Sequence, residues 1–345
     1  MELSCPVPNM THERVTLGHG GGGTLTNKLL QEGVFSILSN EWLDQHHDGA
    51  YLSMEGPMAF STDSFVISPI FFPGGDIGEL AVNGTVNDLA MCGAVPRYLS
   101  LSFIIEEGML MQDLWRILYS IKAACAAANV AIVTGDTKVV ERGKGDQIFI
   151  NTTGIGLIHA NADIRMERVN EGDVVIISNE IAAHGISIMS VREGLEFETD
   201  IESDTRCLSH TVIKMIEEFG SSIHLLKDPT RGGVASVLNE IARDANLGIF
   251  LDEKNIPIDA QVKGACEILG FDPLYVANEG VFLAIVDAKY ADDVVSLLRA
   301  TSESSNAAII GHVVTEHPRQ VVMRSGIGGK RIVNMLVGEQ LPRIC

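Results

Sequence analysis

Apolar residues recur along the chain in two patterns, which predict strands and helices in alternation. Short runs rich in Val, Ile and Leu predict buried strands, and apolar positions spaced by three or four residues predict helices. The predicted strands are Ser61–Ile67, Leu99–Ile105, Val130–Val133, Gln147–Ile158, Val174–Ser178, Ile249–Leu251, Val281–Val286 and Ile309–Val314. Two helices are predicted to begin after Gly23 and after Gly78. Further predicted helices are Met111–Ala127, Ala182–Glu193, Thr205–Phe219, Val234–Ala245 and Ala291–Thr301. This interleaving favours an α/β or α+β fold, with a strand order that the pattern leaves open.

The length of the chain predicts more than one domain. A chain of 345 residues is too long for one ordinary hydrophobic core. Turn-forming residues between Asn161 and Asp173 precede a new predicted strand and indicate a boundary there. We therefore expect four parts: a glycine-rich segment (1–40), a first domain (41–165), a second domain (166–330) and a tail (331–345).

Composition and charge narrow the class of protein. Hydrophobic residues make up 46% and charged residues 20% of the chain, as is usual in globular proteins. The net charge of −20 argues against a nucleic-acid partner. Neither a signal peptide nor an apolar run of about 18 residues is evident, so no membrane span is expected. The six cysteines form no CxxC pair, which favours reduced thiols and a cytoplasmic protein.

A glycine-rich loop, Gly18-His19-Gly20-Gly21-Gly22-Gly23, precedes the first predicted helix. Glycines let backbone N–H groups close around an anion, and a helix N-terminus favours negative charge. The loop lacks both a preceding full strand and a Walker lysine, so a flexible linker is an equally good interpretation of the loop by itself.

Aspartates on separate elements predict a magnesium and phosphate site. Asp63 lies in a predicted strand, Asp76 and Asp88 flank or occupy a predicted helix, and Asp136 and Lys138 follow a buried strand. Magnesium prefers carboxylate, water and phosphate oxygens, which suits this set. Each aspartate taken singly is better explained as a turn or cap residue. Asp76 and Asp88 are 12 residues apart, about 18 Å along a helix, so both serve one site only if Asp76 precedes the helix or the two face different subunits.

The second half adds three candidates. Asp228-Pro229-Thr230-Arg231-Gly232-Gly233 precedes a helix, and its arginine suits a phosphate, although a turn with an N-cap is an equal alternative. Glu279 comes just before a buried strand, where it can serve as a general base or simply occupy a surface turn. Cys345 is the last residue of the sequence, where a thiolate can act as a nucleophile and acyl carrier or be incidental.

These motifs together resemble one protein family. The sequence from about Val15 to Cys345 resembles the HypE hydrogenase maturation proteins, of the superfamily of aminoimidazole ribonucleotide synthetase, selenophosphate synthetase and thiamine monophosphate kinase. The segments Asn87-Asp88-Leu89-Ala90 and Asp228–Gly233 are typical of the superfamily, and the ending Pro342-Arg343-Ile344-Cys345 is more specific to HypE.

The resemblance implies a two-domain fold of the aminoimidazole ribonucleotide synthetase type and a homodimer formed by the N-terminal domains, with ATP near the interface. It implies that HypF loads a carbamoyl group onto Cys345. The chain would then use ATP to dehydrate that group to a thiocyanate, and pass cyanide to iron held by HypC–HypD.

The resemblance also implies roles for the candidate residues. Asp63, Asp76 and Asp88 would hold Mg²⁺, and ATP phosphates would meet Gly20, Gly21, Gly22, Asp136, Asp228 and Arg231. Lys138 would stabilise developing charge, Glu279 would be the base, and Cys345 would carry the substrate. Two alternatives stay open: a kinase or synthetase of the superfamily acting on a free small molecule, and a non-catalytic thiol carrier.

Overall fold

Two β-sheets organise the chain, a four-stranded sheet in the first half and a seven-stranded sheet in the second. The computed structural model describes residues 12–45, 47–194, 201–336 and 338. Within that part of the chain, no helix is both long and apolar enough to cross a membrane. Each sheet has its own hydrophobic core, so the predicted two-domain α/β architecture is confirmed.

The first domain consists of a helical N-terminal segment and a sheet with two long helices on one face. Its elements are α1 (Thr24–Lys28), a π-helix (Leu29–Val34), α2 (Phe35–Leu38), β1 (Met58–Phe65), β2 (Phe71–Phe72), β3 (Gly75–Asp76), α3 (Ile77–Met91), β4 (Ala94–Glu106), α4 (Met111–Ala128), β5 (Ala131–Val140) and β6 (Ile148–Ile158). The strand order is β1-β6-β4-β5, with only β4 and β5 parallel. The outer strands of this sheet are therefore β1 and β5.

Alternation along the strands gives this sheet a buried face and an open face. Phe65 of β1 and Leu101 of β4 belong to the core shared with α3 and α4, because successive side chains in a strand point to opposite faces. On the other face, Phe60 is 73% exposed and Ile104 is 45% exposed. Large apolar side chains on an exposed sheet face indicate a surface that another element or molecule covers.

The second domain buries both faces of its sheet. Its elements are β7 (Val174–Ile177), α5 (Ala183–Glu193), α6 (Ser209–Phe219), β8 (Ile223–Lys227), α7 (Gly233–Ala245), β9 (Gly248–Asp252), α8 (Ala260–Leu269), β10 (Leu283–Val286), α9 (Ala291–Arg299), β11 (Ala308–Val314), β12 (Val321–Arg324) and β13 (Lys330–Val333). The strand order is β13-β12-β9-β11-β7-β10-β8. Leu283 and Ile285 pack into the core with α5, α7 and α8, whereas Ala284 and Val286 pack with α6 and α9. Strands buried on both faces read as continuous apolar runs, as these do.

The predicted helices and strands are present, but several bounds differ (β4 begins at Ala94, five residues before its predicted start), and β2 and β3 were not predicted. The strand predicted at 130–133 continues as β5 through Asp136 and Lys138, so these residues lie inside an edge strand and not at a strand end. The helix predicted from Thr205 begins at Ser209. Three strands of the second sheet were not predicted, and the last of them, β13, extends the sheet past the expected boundary at residue 330 to Val333.

Candidate active site

A cluster of acidic side chains lies where α3 of the first domain meets the second domain. Asp63 projects from β1, Asp88 lies near the end of α3, Asp228 directly follows β8, and Glu279 precedes β10. The charges of Asp63 and Asp88 act on both Asp228 and Glu279. The structure therefore brings together four acids that are far apart in sequence.

Local structure explains why these side chains converge. Ser61 and Asp63 occupy alternate positions of β1, on the side that faces α3, and the Ser61 hydroxyl donates to Asp88 Oδ2 at 2.6 Å. Strands β8 and β10 are antiparallel neighbours with Leu283 opposite Lys227. The end of β8 and the start of β10 consequently lie side by side, which places Asp228 near the segment that carries Glu279.

Burial and mutual repulsion disfavour the ionised forms of these acids. Burial, followed by the charges of neighbouring carboxylates, raises the pKa of Glu279 well above its usual value. The same causes raise the pKa of Asp228 to about 7. Burial also raises the pKa of Asp88, although the Ser61 hydrogen bond and the Arg231 charge act in the opposite direction. The cluster holds more negative charge than Arg231 alone can balance, so it favours a bound cation.

The donor set fits Mg²⁺ only as a partial site. Among the described residues, no group of three or more His, Cys, Asp or Glu side chains is arranged to hold a metal ion. Magnesium commonly takes one or two protein carboxylates and completes its shell with water and substrate phosphates. Asp63 and Asp88, both hard oxygen donors on facing elements, meet that requirement.

Asp76 does not join this cluster within one chain. It is the N-cap of α3, where its carboxylate accepts from the N–H groups of Gly78 at 2.8 Å and Glu79 at 3.2 Å. Asp88 lies at the other end of the same helix, about 18 Å away at 1.5 Å per residue. Within one chain Asp76 serves as a cap and lies away from Asp63 and Asp88, so the prediction that it binds metal with them requires a second copy of the chain and stays a prediction.

The glycine-rich loop, Asp136 and Lys138 form a second group, at the β5 edge of the first sheet. Gly20, Gly22, Asp136 and Lys138 line a groove of about 540 Å³. A Cβ on Gly20 would lie 2.6 Å from the Val139 nitrogen, so only glycine allows the loop to approach β5 this closely. The apolar wall of the groove includes Leu30, Phe35, Leu38, Trp42, Leu101 and Phe103. Gly21 is exposed in the same loop but is not part of the groove lining.

Asp136 and Lys138 form an exposed ion pair beside this groove. Lys138 Nζ lies 2.7 Å from Asp136 Oδ2, and the two side chains are 63% and 59% exposed. The hydrogen bond from Lys138 holds the pKa of Asp136 below its usual value. An exposed pair of this kind contributes little to stability, so both side chains are available to a ligand.

The two groups lie apart in one chain. Asp136 pairs with Ser102 and Lys138 with Ile104, on the open face of the sheet, whereas Asp63 points to the helix-covered face. Strands β1 and β5 are three strand spacings apart, about 14 Å at 4.8 Å per spacing. Lys138 therefore does not reach the acid cluster of its own chain.

Two residues of the acid cluster were missed in the sequence. Ser61 lies two positions before Asp63, a spacing that places both side chains on one face of a strand. This spacing could have indicated that Ser61 lies in the same site as Asp63. Asp204 is buried and accepts from the main-chain N–H groups of Glu279 and Gly280. It lies in an irregular segment, so no periodicity pointed to it. Cys345 lies outside the described residues.

Comparison with known proteins identifies the family. The N-terminal domain of the AIR synthase related proteins matches residues 46–158, and the C-terminal domain of those proteins matches residues 170–323. The carbamoyl dehydratase HypE of Rhizobium leguminosarum bv. viciae is 50% identical, over 98% of this chain and 97% of its own length. The chain belongs to the HypE family. It is accordingly an enzyme, a carbamoyl dehydratase of hydrogenase maturation, as the resemblance predicted.

Solved HypE structures agree with this fold. A crystal structure of a hydrogenase maturation protein HypE in complex with ATP superposes with a TM-score of 0.92, at 45% identity, over 95% of this chain and 99% of that one. A crystal structure of a HypE–HypF complex matches with a TM-score of 0.79, at 42% identity, over 89% of this chain and 99% of that one.

Proposed function

We propose that this HypE-family enzyme uses ATP to dehydrate a carbamoyl group carried on Cys345. The product is a thiocyanate, the source of the cyanide ligand on the iron of nickel–iron hydrogenase. The observation that carries the proposal is the buried acid cluster around Glu279, a strongly basic carboxylate beside two candidate magnesium ligands.

Dehydration of a primary carboxamide needs both a better leaving group and a base. The carbamoyl oxygen attacks the γ-phosphorus of ATP, the bond to the β-phosphate oxygen breaks, and ADP leaves. The carbon–oxygen bond then breaks with phosphate as the leaving group, while nitrogen loses its two protons and forms the C≡N bond. The balance is thiocarbamate plus ATP giving thiocyanate, ADP, phosphate and one proton.

Glu279 is suited to take a proton from nitrogen. Its carboxylate is buried beside Asp204, Asp228, Asp63 and Asp88, which makes it a stronger base than an exposed glutamate when it is deprotonated. Burial and, after it, the neighbouring carboxylates oppose deprotonation of Glu279, so positive charge entering the cluster would offset the second of these causes.

The phosphate side requires cations. A Mg²⁺ ion held by Asp63 and Asp88 would neutralise charge on the phosphates. Arg231 acts on Asp88 from the loop after β8, and a guanidinium matches phosphate oxygens. Gly20 and Gly22 offer a closely packed loop beside Asp136 and Lys138, where we propose that the nucleotide binds. The relative solved in complex with ATP supports nucleotide binding as such.

The separation of the two groups supports a homodimer with composite sites. The open face of the first sheet carries exposed Phe60 on β1 and exposed Ile104 on β4, where Ile104 pairs with Lys138 of β5. Covering this face with a second copy buries these apolar side chains and allows β5 of one copy to approach the acid cluster of the other. Lys138 then completes the site of its partner by stabilising charge on the carbamoyl or phosphate oxygens.

The C-terminal residues follow the second sheet in the sequence. The last residue of β13 is Val333, so residues 334–345 follow the sheet, and a fully extended chain of that length spans about 40 Å. We propose HypF as the donor of the carbamoyl group, consistent with the relative that was solved in complex with HypF. HypC–HypD is proposed as the acceptor of cyanide.

Intact mass spectrometry tests the function directly. The full chain is incubated with HypF, carbamoyl phosphate and ATP, and then with further Mg·ATP. A carbamoyl adduct on the Cys345 peptide that loses one water supports the proposal. An adduct that never loses water indicates a thiol carrier, and ATP turnover unaffected by Cys345→Ala indicates a kinase of a free small molecule.

A further inference from the structure

An irregular segment, residues 201–208, passes between the two domains and contacts both. We refer to it as the bridging segment. On the side of the first domain, Ser203 N–H donates to Pro73 O at 2.8 Å, and Leu208 N–H donates to Asn87 Oδ1 at 2.8 Å. On the side of the second domain, the carboxylate of Asp204 faces the segment that contains Glu279.

Both main-chain polar groups of Glu279 are held by buried side chains. Its N–H lies 3.2 and 3.3 Å from the two carboxylate oxygens of Asp204, and its C=O accepts from Asn87 Nδ2 at 3.3 Å. The next N–H, that of Gly280, donates to the same carboxylate at 3.2 Å. Asp204 and Asn87 are 5% and 2% exposed, so water does not compete for these bonds.

No strand ladder fixes Glu279. Pairing of β10 with β8 and β7 begins at Leu283, four residues later. A Cβ on Gly280 would overlap the main-chain oxygen of Asp204, so the two backbones are in direct contact at this point. The preceding residue, Asn278, is held by Pro229 and Ala182, and the main-chain polar groups of Glu279 itself are held by Asp204 and Asn87.

We propose that Asp204, together with Asn87, is a positioning residue that holds the main chain of Glu279 so that its carboxylate faces the substrate nitrogen. This inference rests on the proposed function, in which Glu279 is the base. Asn87 directly precedes Asp88 on α3, so one turn of helix fixes both the base and a candidate magnesium ligand. A displacement of about 1 Å of such a group reduces the rate about 100-fold.

Two substitutions and a matched control test the role. Asp204→Asn keeps one acceptor oxygen but removes the charge, and Asp204→Ala removes both acceptors. Asp173→Asn is the control. Asp173 is also a buried carboxylate of the second domain, and it accepts the main-chain N–H of Asn170 at 2.8 Å. It contacts His224, however, and not the acid cluster. The full chain, carbamoylated by HypF, is followed by mass for ATP-dependent loss of water.

We expect the rate of water loss to fall about tenfold in Asp204→Asn and about 100-fold in Asp204→Ala, with KM for ATP unchanged. The acidic limb of the pH–rate profile should move to lower pH in both, because Asp204 is the charged neighbour that most raises the pKa of Glu279 after burial. Amide exchange at Glu279 and Gly280 should accelerate, whereas Asp173→Asn should keep the wild-type rate and profile.

A wild-type rate and acidic limb in Asp204→Asn, with Glu279→Gln inactive, would overturn the positioning role while leaving the proposed function intact. Full activity of Glu279→Gln would instead remove Glu279 from the mechanism. If Asp204→Ala does not fold, Asp204→Asn and its pH profile still decide between these outcomes.

Discussion

Replacing Asp228 by Asn should stabilise the protein in neutral and basic solution in the absence of divalent cations. Asp228 has a pKa raised to about 7 by burial and by the charges of Asp88 and Asp63. The folded state therefore binds the proton of Asp228 more tightly than the unfolded chain, where the usual value near 3.8 applies. Because the pKa of Asp228 is higher in the folded state than in the unfolded chain, its contribution to the free energy of unfolding is present at low pH and is lost as the pH rises from about 4 to about 7.

The size of the effect follows from the pKa difference. One unit corresponds to about 1.4 kcal/mol, so the full penalty above pH 7 is at most about 4 kcal/mol. Between pH 5.5 and pH 8, ionisation of Asp228 lowers the free energy of unfolding of the wild type by about 2 kcal/mol. Asparagine has nearly the same shape but no titrating proton, so Asp228→Asn should gain about 2 kcal/mol relative to wild type over this interval.

Urea denaturation of the full chain at pH 5.5 and pH 8, in low salt with EDTA, measures this gain. Asp293→Asn, a change at an exposed position in the first turn of α9, controls for the loss of one surface charge. The reasoning is refuted if Asp228→Asn shifts the free energy of unfolding equally at both pH values, or destabilises the protein at pH 8. Mg²⁺ should reduce the pH dependence of wild type, because a cation near Asp63 and Asp88 offsets the repulsion.

Three further predictions concern the split site and its boundaries. Lys138→Ala and Glu279→Gln chains, each inactive alone, should regain about a quarter of the wild-type rate of water loss when they are mixed, if each site combines residues of two copies. The reason is that half of the mixed dimers are heterodimers, and each heterodimer has one intact site of two. No recovery would place both residues in the site of one chain. Asp76→Ala should cost about 1 kcal/mol of stability through the lost N-cap bonds, and the affinity for Mg²⁺, measured by calorimetry, should fall only if Asp76 of one copy reaches the site of another. Phe60→Glu should shift the chain to monomer in analytical ultracentrifugation and stop ATP-dependent water loss, whereas Ile268→Glu, at an exposed position on α8 of the other domain, should do neither.

The sequence was informative wherever burial produced a periodic pattern. Strands such as β6 alternate or run apolar along their length, and helix α4 has an apolar stripe, so both were predicted within a residue or two. Strand β13 was not, because three of its four residues are exposed and no periodic apolar signal survives. Short strands at the edge of a sheet depend on pairing with distant residues, which a local pattern does not contain.

The candidate site shows the same division. Asp63, Asp88, Asp228 and Glu279 were named from their motifs, and the structure brings them together. Their separation from Lys138 was not foreseen, since it depends on the order β1-β6-β4-β5, a property of long-range pairing. Asp76 had a readable local signal: with Glu79 three residues later, it fits the start of a capped helix.

In the proposed composite site, the charges of the two groups would complement each other. The acid cluster alone repels the phosphates of ATP, and the Lys138 groove alone contains no strong base. In the proposed mechanism, a magnesium ion bound with ATP would offset the carboxylate charges that, after burial, raise the pKa of Glu279, and would make its deprotonated form more favourable. In the proposed mechanism the base would thus become available together with the phosphoryl donor. Premature removal of a proton from the proposed carbamoyl nitrogen would be disfavoured by the burial and the neighbouring charges that raise the pKa of Glu279.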